Sequence, residues 1–170
     1  MAQLWWDQPQ PRPEVPSGTT PTDTFQQKVA PYVPWATTEY VVIDGSENLK
    51  VEPLTLNPPF PSTRSGFYRV SFLVKAKEGS NFDRFYRHWL NTHVPNVKSV
   101  MDQVGGFRYV VSHSIDPLAE PFAGLAELYF HDEAGFSRYR ETIKPDGMDE
   151  WVDRGGGLVL GGGTEFIGLP

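Results

Sequence analysis

The sequence predicts an α+β domain over residues 66–170, built in the order β-α-β-β-α-β. Three observations carry this reading. Apolar residues alternate in short segments, helical periodicity appears in two stretches between them, and proline- or glycine-rich joints separate the pieces.

The first strand is Tyr68-Arg69-Val70-Ser71-Phe72-Leu73-Val74-Lys75, which alternates throughout. Ser80 with Asp83 three residues on resembles a capping box, opening a helix at Asn81. That helix sets Phe82, Phe85, Tyr86, Trp89, Leu90 and His93 on one stripe. Pro95 then predicts a break or kink, and Gly105-Gly106 an end. Phe107 to Ser114 alternates again, and Leu125 to Phe130 makes a third strand. Asp132 is placed to cap a second helix with Phe136, Tyr139 and Ile143 inward. The stretch Arg154 to Gly163 reads as a flexible connector into a last strand near Thr164–Leu169.

This order is the split unit of a ferredoxin-like sandwich, with two helices on one sheet face and nothing on the other. An apolar face left bare must be buried, and pairing two sheets in a homodimer does so. The aliphatic set Val70, Phe72, Val74, Ala126, Leu128 and Phe130 suits the helical face. Phe107, Tyr109, Val111 and His113 share one side of the second strand. The mixed sets with Glu127, Tyr129, Tyr109 and His113 are expected on the bare face.

Residues 1–65 contain a proline-rich loop, Gln8 to Pro21, and the linker Asn57-Pro58-Pro59-Phe60-Pro61-Ser62. A short strand at 2–6 precedes the loop, and between loop and linker lie a helix bearing Phe25 and Val29 and a strand at Tyr40–Ile43 that enters a turn at Asp44-Gly45. Lys50 to Leu56 is at best an edge strand, because of Pro53. A weak internal echo links Ala2-Gln3-Leu4-Trp5-Trp6-Asp7 to Ala126-Glu127-Leu128-Tyr129-Phe130 with Asp132 following. Trp35 and Glu52 echo Trp151 and Glu165 further on. The segment is therefore either an arm that wraps the domain or its partner, or the back half of a degenerate second copy.

Composition narrows the function. A net charge of −6 with only 15 Lys and Arg, and no basic run, argues against nucleic acid. The chain has no cysteine, which removes disulfides and thiolate chemistry. No signal-like start and no apolar run of membrane-spanning length occur, so a cytoplasmic protein is expected. Aromatic residues reach 14%, enough to fill a core or to line a cavity for flat ligands.

Several residues stand out for chemistry. His93 ends the apolar stripe, where an imidazole that titrates near neutrality is placed for proton transfer. Glu127, between a leucine and a tyrosine, is a candidate acid or base, or else one half of an ion pair with Arg69 or Arg108. His113 is a second candidate. His88 and His131 read as exposed, and the spacing of His88 and His93 is poor for joint metal ligation, so no metal is expected. The glycine run lacks the context of a phosphate loop.

The segment Phe85-Tyr86-Arg87-His88-Trp89-Leu90-Asn91-Thr92-His93-Val94-Pro95 resembles the F-x-x-x-W-x-x-x-H-x-P pattern of the EthD-like branch of the dimeric α/β barrel superfamily. Gly106-Phe107-Arg108-Tyr109, the third strand, and Asp149 with Trp151 and Asp153 support it, over roughly residues 66–170. The resemblance implies a homodimer and a cofactor-independent lyase or isomerase acting on an aromatic or cyclic carbonyl compound. His93 is then the general acid/base, with Glu127 or His113 assisting and Tyr86, Trp89, Tyr109 and Tyr129 holding the ring. It also admits a cofactor-free oxygenase of quinol-like substrates. A non-catalytic binding protein and a dimer with a fully packed interior remain open beside these.

Overall fold

A computed structural model describes Gln3, Trp5, Asp7, residues 35–49 and residues 66–163. Among the described residues five strands form one antiparallel sheet in the order β1-β3-β4-β2-β5. They are β1 (Thr37–Ile43), β2 (Tyr68–Val74), β3 (Gly106–Ser114), β4 (Gly124–Phe130) and β5 (Leu158–Gly162). Helix α1 (Phe82–His88), a π-turn (Trp89–His93) and helix α2 (Val94–Val104) connect β2 to β3. Helix α3 (Glu133–Thr142) follows β4. Strands β2 to β5 with these helices have the ferredoxin-like β-α-β-β-α-β order, and β1 extends the sheet beyond β3. None of the helices among the described residues is long and apolar enough to cross a membrane.

Local chemistry explains the boundaries. Asn81, rather than Ser80, caps α1, its side chain accepting from the Arg84 amide at 3.0 Å. Asp132 caps α3 through the Gly135 amide at 2.8 Å. Gly105, at φ 77°, ends α2 in the left-handed conformation that glycine adopts without penalty. Pro95 does not break the chain. It has no N–H for an α-helical bond back to Asn91, and the preceding turn is instead wound as a π-turn, with the Val94 amide reaching the Trp89 carbonyl.

The helical side of the sheet holds the main core, in which Val74, Phe85, Trp89, Val97, Met101, Tyr109, Leu128 and Phe130 are all buried. A smaller cluster of Phe67, Phe107 and Tyr129 lies on the far side. Phe107 is there because of a bulge between Gly106 and Arg108, which puts it out of phase with Tyr109 and Val111. The expectation that these residues and His113 share one face is corrected accordingly.

The last strand is also corrected. It lies inside the glycine-rich stretch, where Leu158-Val159-Leu160 pair with β2. Glycine here serves close approach, since a Cβ on Gly161 would meet the Tyr68 hydroxyl at 2.9 Å. The expected strand at Thr164–Leu169 lies outside the described residues. So do the expected strand at Lys50–Leu56, the helix with Phe25 and Val29, the linker at 57–62, the Glu52 and Glu165 echoes, and most of the strand at 2–6.

The expected turn at Asp44-Gly45 makes a demanding contact. Gly45 has φ 51°, and a Cβ there would sit 1.9 Å from the Phe107 carbonyl oxygen. Gly45→Ala is expected to cost about 2 kcal/mol or more, from left-handed strain plus overpacking. Denaturant unfolding checks this; an unchanged midpoint would show that the turn shifts freely.

The far sheet face is not bare. Register puts Ser71, Val110 and Glu127 side by side there, with Leu125 and Ser112 in the next row, and all five are buried within a single chain.

Candidate functional site

A cavity of about 700 Å³ opens between the helices and the helical side of the sheet. Phe72, Tyr109, Ala126 and Leu128 form its floor, while Trp89, His93 and Val97 from the α1–α2 connection make one wall. Phe136, Tyr139 and Ile143 make the other, and Lys144 to Asp146 lie at its edge with Met148 and Val152. Helical spacing alone brings Trp89 and His93 to the same wall, four residues apart on the π-turn. A smaller and more open cleft of about 440 Å³, at Lys77, Glu78, Asp149 and Arg154, is lined by charged surface residues and lacks such a floor.

His93 is the polar centre of the cavity. Its Nδ1 lies 2.8 Å from Asp146 Oδ2, and among the described residues no hydrogen bond is made to its Nε2. Asp146 is itself fixed: Asn96 Nδ2 donates to Oδ2 at 2.7 Å and the Met148 amide to Oδ1 at 3.1 Å. Burial opposes ionisation of this carboxyl, but Asn96, His93 and the Met148 amide outweigh it and hold its pKa below the ordinary carboxylate value. An ionised Asp146 accepts the Nδ1 proton, which leaves Nε2 free as a base. Asn96 Nδ2 also donates to the Lys144 carbonyl at 2.9 Å, tying the loop that carries Asp146 to α2.

Two polar atoms behind the cavity lining have no partner: Trp89 Nε1 and the Tyr109 hydroxyl, both buried. The Tyr109 pKa is raised by burial, with Tyr139 and Asp146 adding to it; the nearby Trp89 indole opposes the shift but makes no hydrogen bond in this geometry. Tyr139 is likewise raised by burial and by Asp146. These phenols therefore remain protonated donors.

Not every expected site residue gathers here. His93, Trp89 and Tyr109 line the cavity. Tyr86 does not; its hydroxyl donates to the Ala123 carbonyl at 2.7 Å and secures the β3–β4 connection. Tyr109 and His113, expected on the far face, are on the helical side. The His113 ring stacks on Tyr86 at 4.1 Å and packs on Trp89 at 5.0 Å and Tyr40 at 5.2 Å.

Glu127 and Tyr129 are on the far face as expected, so the sheet separates both from His93. Glu127 takes the ion-pair reading, with Arg69 at 3.5 Å and Ser71 at 3.3 Å, and Arg108 bonds Asp44 instead. The hollow that His93 reaches is therefore under its own helices, not against the face bearing Glu127. His131 is exposed, but His88 is half-buried against Trp151.

Burial of His113 lowers its pKa to about 4 from 6.5. Its imidazole is neutral at pH 7 in folded and unfolded chains alike. As pH falls from about 6.5 to about 4, the unfolded chain takes up a proton that the folded chain refuses, and about 3 kcal/mol of stability is lost. His113→Phe is expected to remove that loss, as read by denaturant unfolding across this range. An acid limb unchanged in the variant would assign it to other groups.

Residues 77–155 match the family model described as EthD domain. Neither the curated proteins nor the solved structures contain a match to the chain.

Proposed function

With residues 77–155 as an EthD domain, we propose that the protein is a cofactor-independent lyase or isomerase of an aromatic or cyclic carbonyl compound. The observation that carries this reading is the His93–Asp146 pair opening onto an apolar cavity of about 700 Å³. That volume suits a small flat ligand.

In this mechanism the ring of the substrate lies on Phe72, Ala126 and Leu128. His93 Nε2 removes a proton from the carbon next to the carbonyl, and Asp146 steadies the imidazolium that forms. Charge moves onto the carbonyl oxygen. Trp89 Nε1–H and the Tyr109 hydroxyl, unpartnered but sealed behind the cavity lining, become donors to that oxygen once the lining shifts to admit it. The proton on Nε2 then returns to a neighbouring carbon in an isomerisation, or to a departing hydroxyl in a dehydration. Either course regenerates the neutral histidine.

The test is a panel of lactones and hydroxylated aromatic or cyclic ketones, followed by absorbance and mass. Product whose formation depends on His93 supports the reading. A ligand that binds in the cavity and is recovered unchanged from every incubation favours a carrier. Asp146→Asn is expected to lower kcat by about tenfold or more while KM moves little, because the base loses its orientation rather than the substrate its contacts. A change confined to KM would instead assign Asp146 to binding.

A further inference from the structure

We propose that the compound held in the cavity is an acid, its carboxylate bound at the mouth by Arg140 and Lys144 while its ring lies inside. The inference rests on the reading of the cavity as a substrate site, and it names the class of substrate that the site selects.

Arg140, in the last turn of α3, and Lys144, four residues on, both line the cavity and are exposed to solvent at its mouth. Among the described residues neither side chain has a carboxylate partner, whereas Lys98 pairs with Asp102, Arg108 with Asp44 and Arg69 with Glu127.

Both cations are nonetheless held in place. The Arg140 guanidinium lies over the Phe136 ring, 6.0 Å from its centre, and Phe136 is part of the cavity wall. A guanidinium resting on a ring keeps N–H donors for a carboxylate, which it matches in shape. Lys144 is anchored through its backbone, since its carbonyl accepts from Asn96 Nδ2 at 2.9 Å. It stands two residues before Asp146, the partner of His93.

The acids of the cavity lining are already engaged. Asp146 is held by His93 and Asn96, Asp149 pairs with Arg154, and Asp153 accepts from the Gly155 amide at 3.0 Å. Two cations without partners thus remain on the α3 side of the mouth, in a chain whose formal net charge is −6. A neutral ring compound makes no use of them, but an anion does. Orientation follows as well. Phe72, Ala126 and Leu128 make an apolar floor, on which an ionised carboxylate would lose its hydration without a partner. The ring therefore enters first and the carboxylate stays at the mouth.

The test compares naphthoate with its neutral amide, naphthamide, as ligands of the full chain, followed by NMR shift titration. Naphthoate is expected to bind about tenfold more tightly, the contribution of two charge pairs open to solvent. The preference should shrink as salt is added, because solvent-exposed charges are screened. In the double variant Arg140→Gln with Lys144→Gln the two probes should bind alike. Equal affinities in the parent, binding of neither probe, or a preference that persists in the double variant overturns the proposal. The titration involves no turnover, so it separates the anchor from the reaction. His93→Ala should keep the preference. A preference for naphthoate in a protein that converts no compound supports the anchor and removes only the lyase or isomerase reading.

Discussion

His93→Ala is expected to lower turnover by about 10²–10⁴, the usual contribution of a positioned general acid or base. The fold should survive. The His93 side chain is 22% exposed at the edge of a cavity, so its loss opens no sealed void in the core. Its partner Asp146 keeps Asn96 and the Met148 amide, and is left without only one of its contacts. The measurement is kcat for the parent and variant on whichever panel compound is converted, with an unfolding curve beside it. A lowered kcat with an unchanged midpoint fits proton transfer. Equal kcat would remove His93 from the chemistry and leave the cavity as a binding site.

Much of the architecture was legible because it follows from short-range pattern. Alternation fixed three strands, Asp132 and Gly105 marked helix ends, and the stripe from Phe82 to His93 pointed Trp89 and His93 to one side. The phase of β3 was not legible. One bulged residue near Gly106 turns Phe107 to one face and Tyr109 to the other, and no residue type announces a bulge. The location of β5 was obscured for a related reason. Its glycines read as flexibility, although at Gly161 they answer the approach of Tyr68.

The site was half visible. His93 carried its own signal, but Asp146 lies 53 residues away, in Lys144-Pro145-Asp146-Gly147. The one local hint was an acid held between proline and glycine, which marks a turn without saying what the turn faces. Glu127 drew attention for a sound reason, since a buried carboxylate needs partners. Those partners proved to be Arg69, Ser71 and Gln3, across the sheet from the cavity. A residue's chemistry can be read from its type, but the face it serves depends on strand phase.

Trp89→Ala is expected to cost about 3–5 kcal/mol, the range for removing a large aromatic ring from a packed interior. Trp89 is 1% exposed, stacks on Phe85 at 5.4 Å and packs on His113 at 5.0 Å. Its ring also lies against the backbone at Gly124, where an added Cβ would come within 2.9 Å. Backbone cannot move in to refill the space, so the void persists. For a chain of this size the melting midpoint should fall by roughly 6–20 °C. Trp89→Phe separates packing from chemistry, because it keeps a ring and removes the indole N–H. It should lose less stability than Trp89→Ala, because the cavity left behind is smaller. If that N–H serves the substrate oxygen, kcat falls in this variant although the fold holds. A phenylalanine enzyme with full kcat would assign Trp89 to the core alone and leave Tyr109 as the donor.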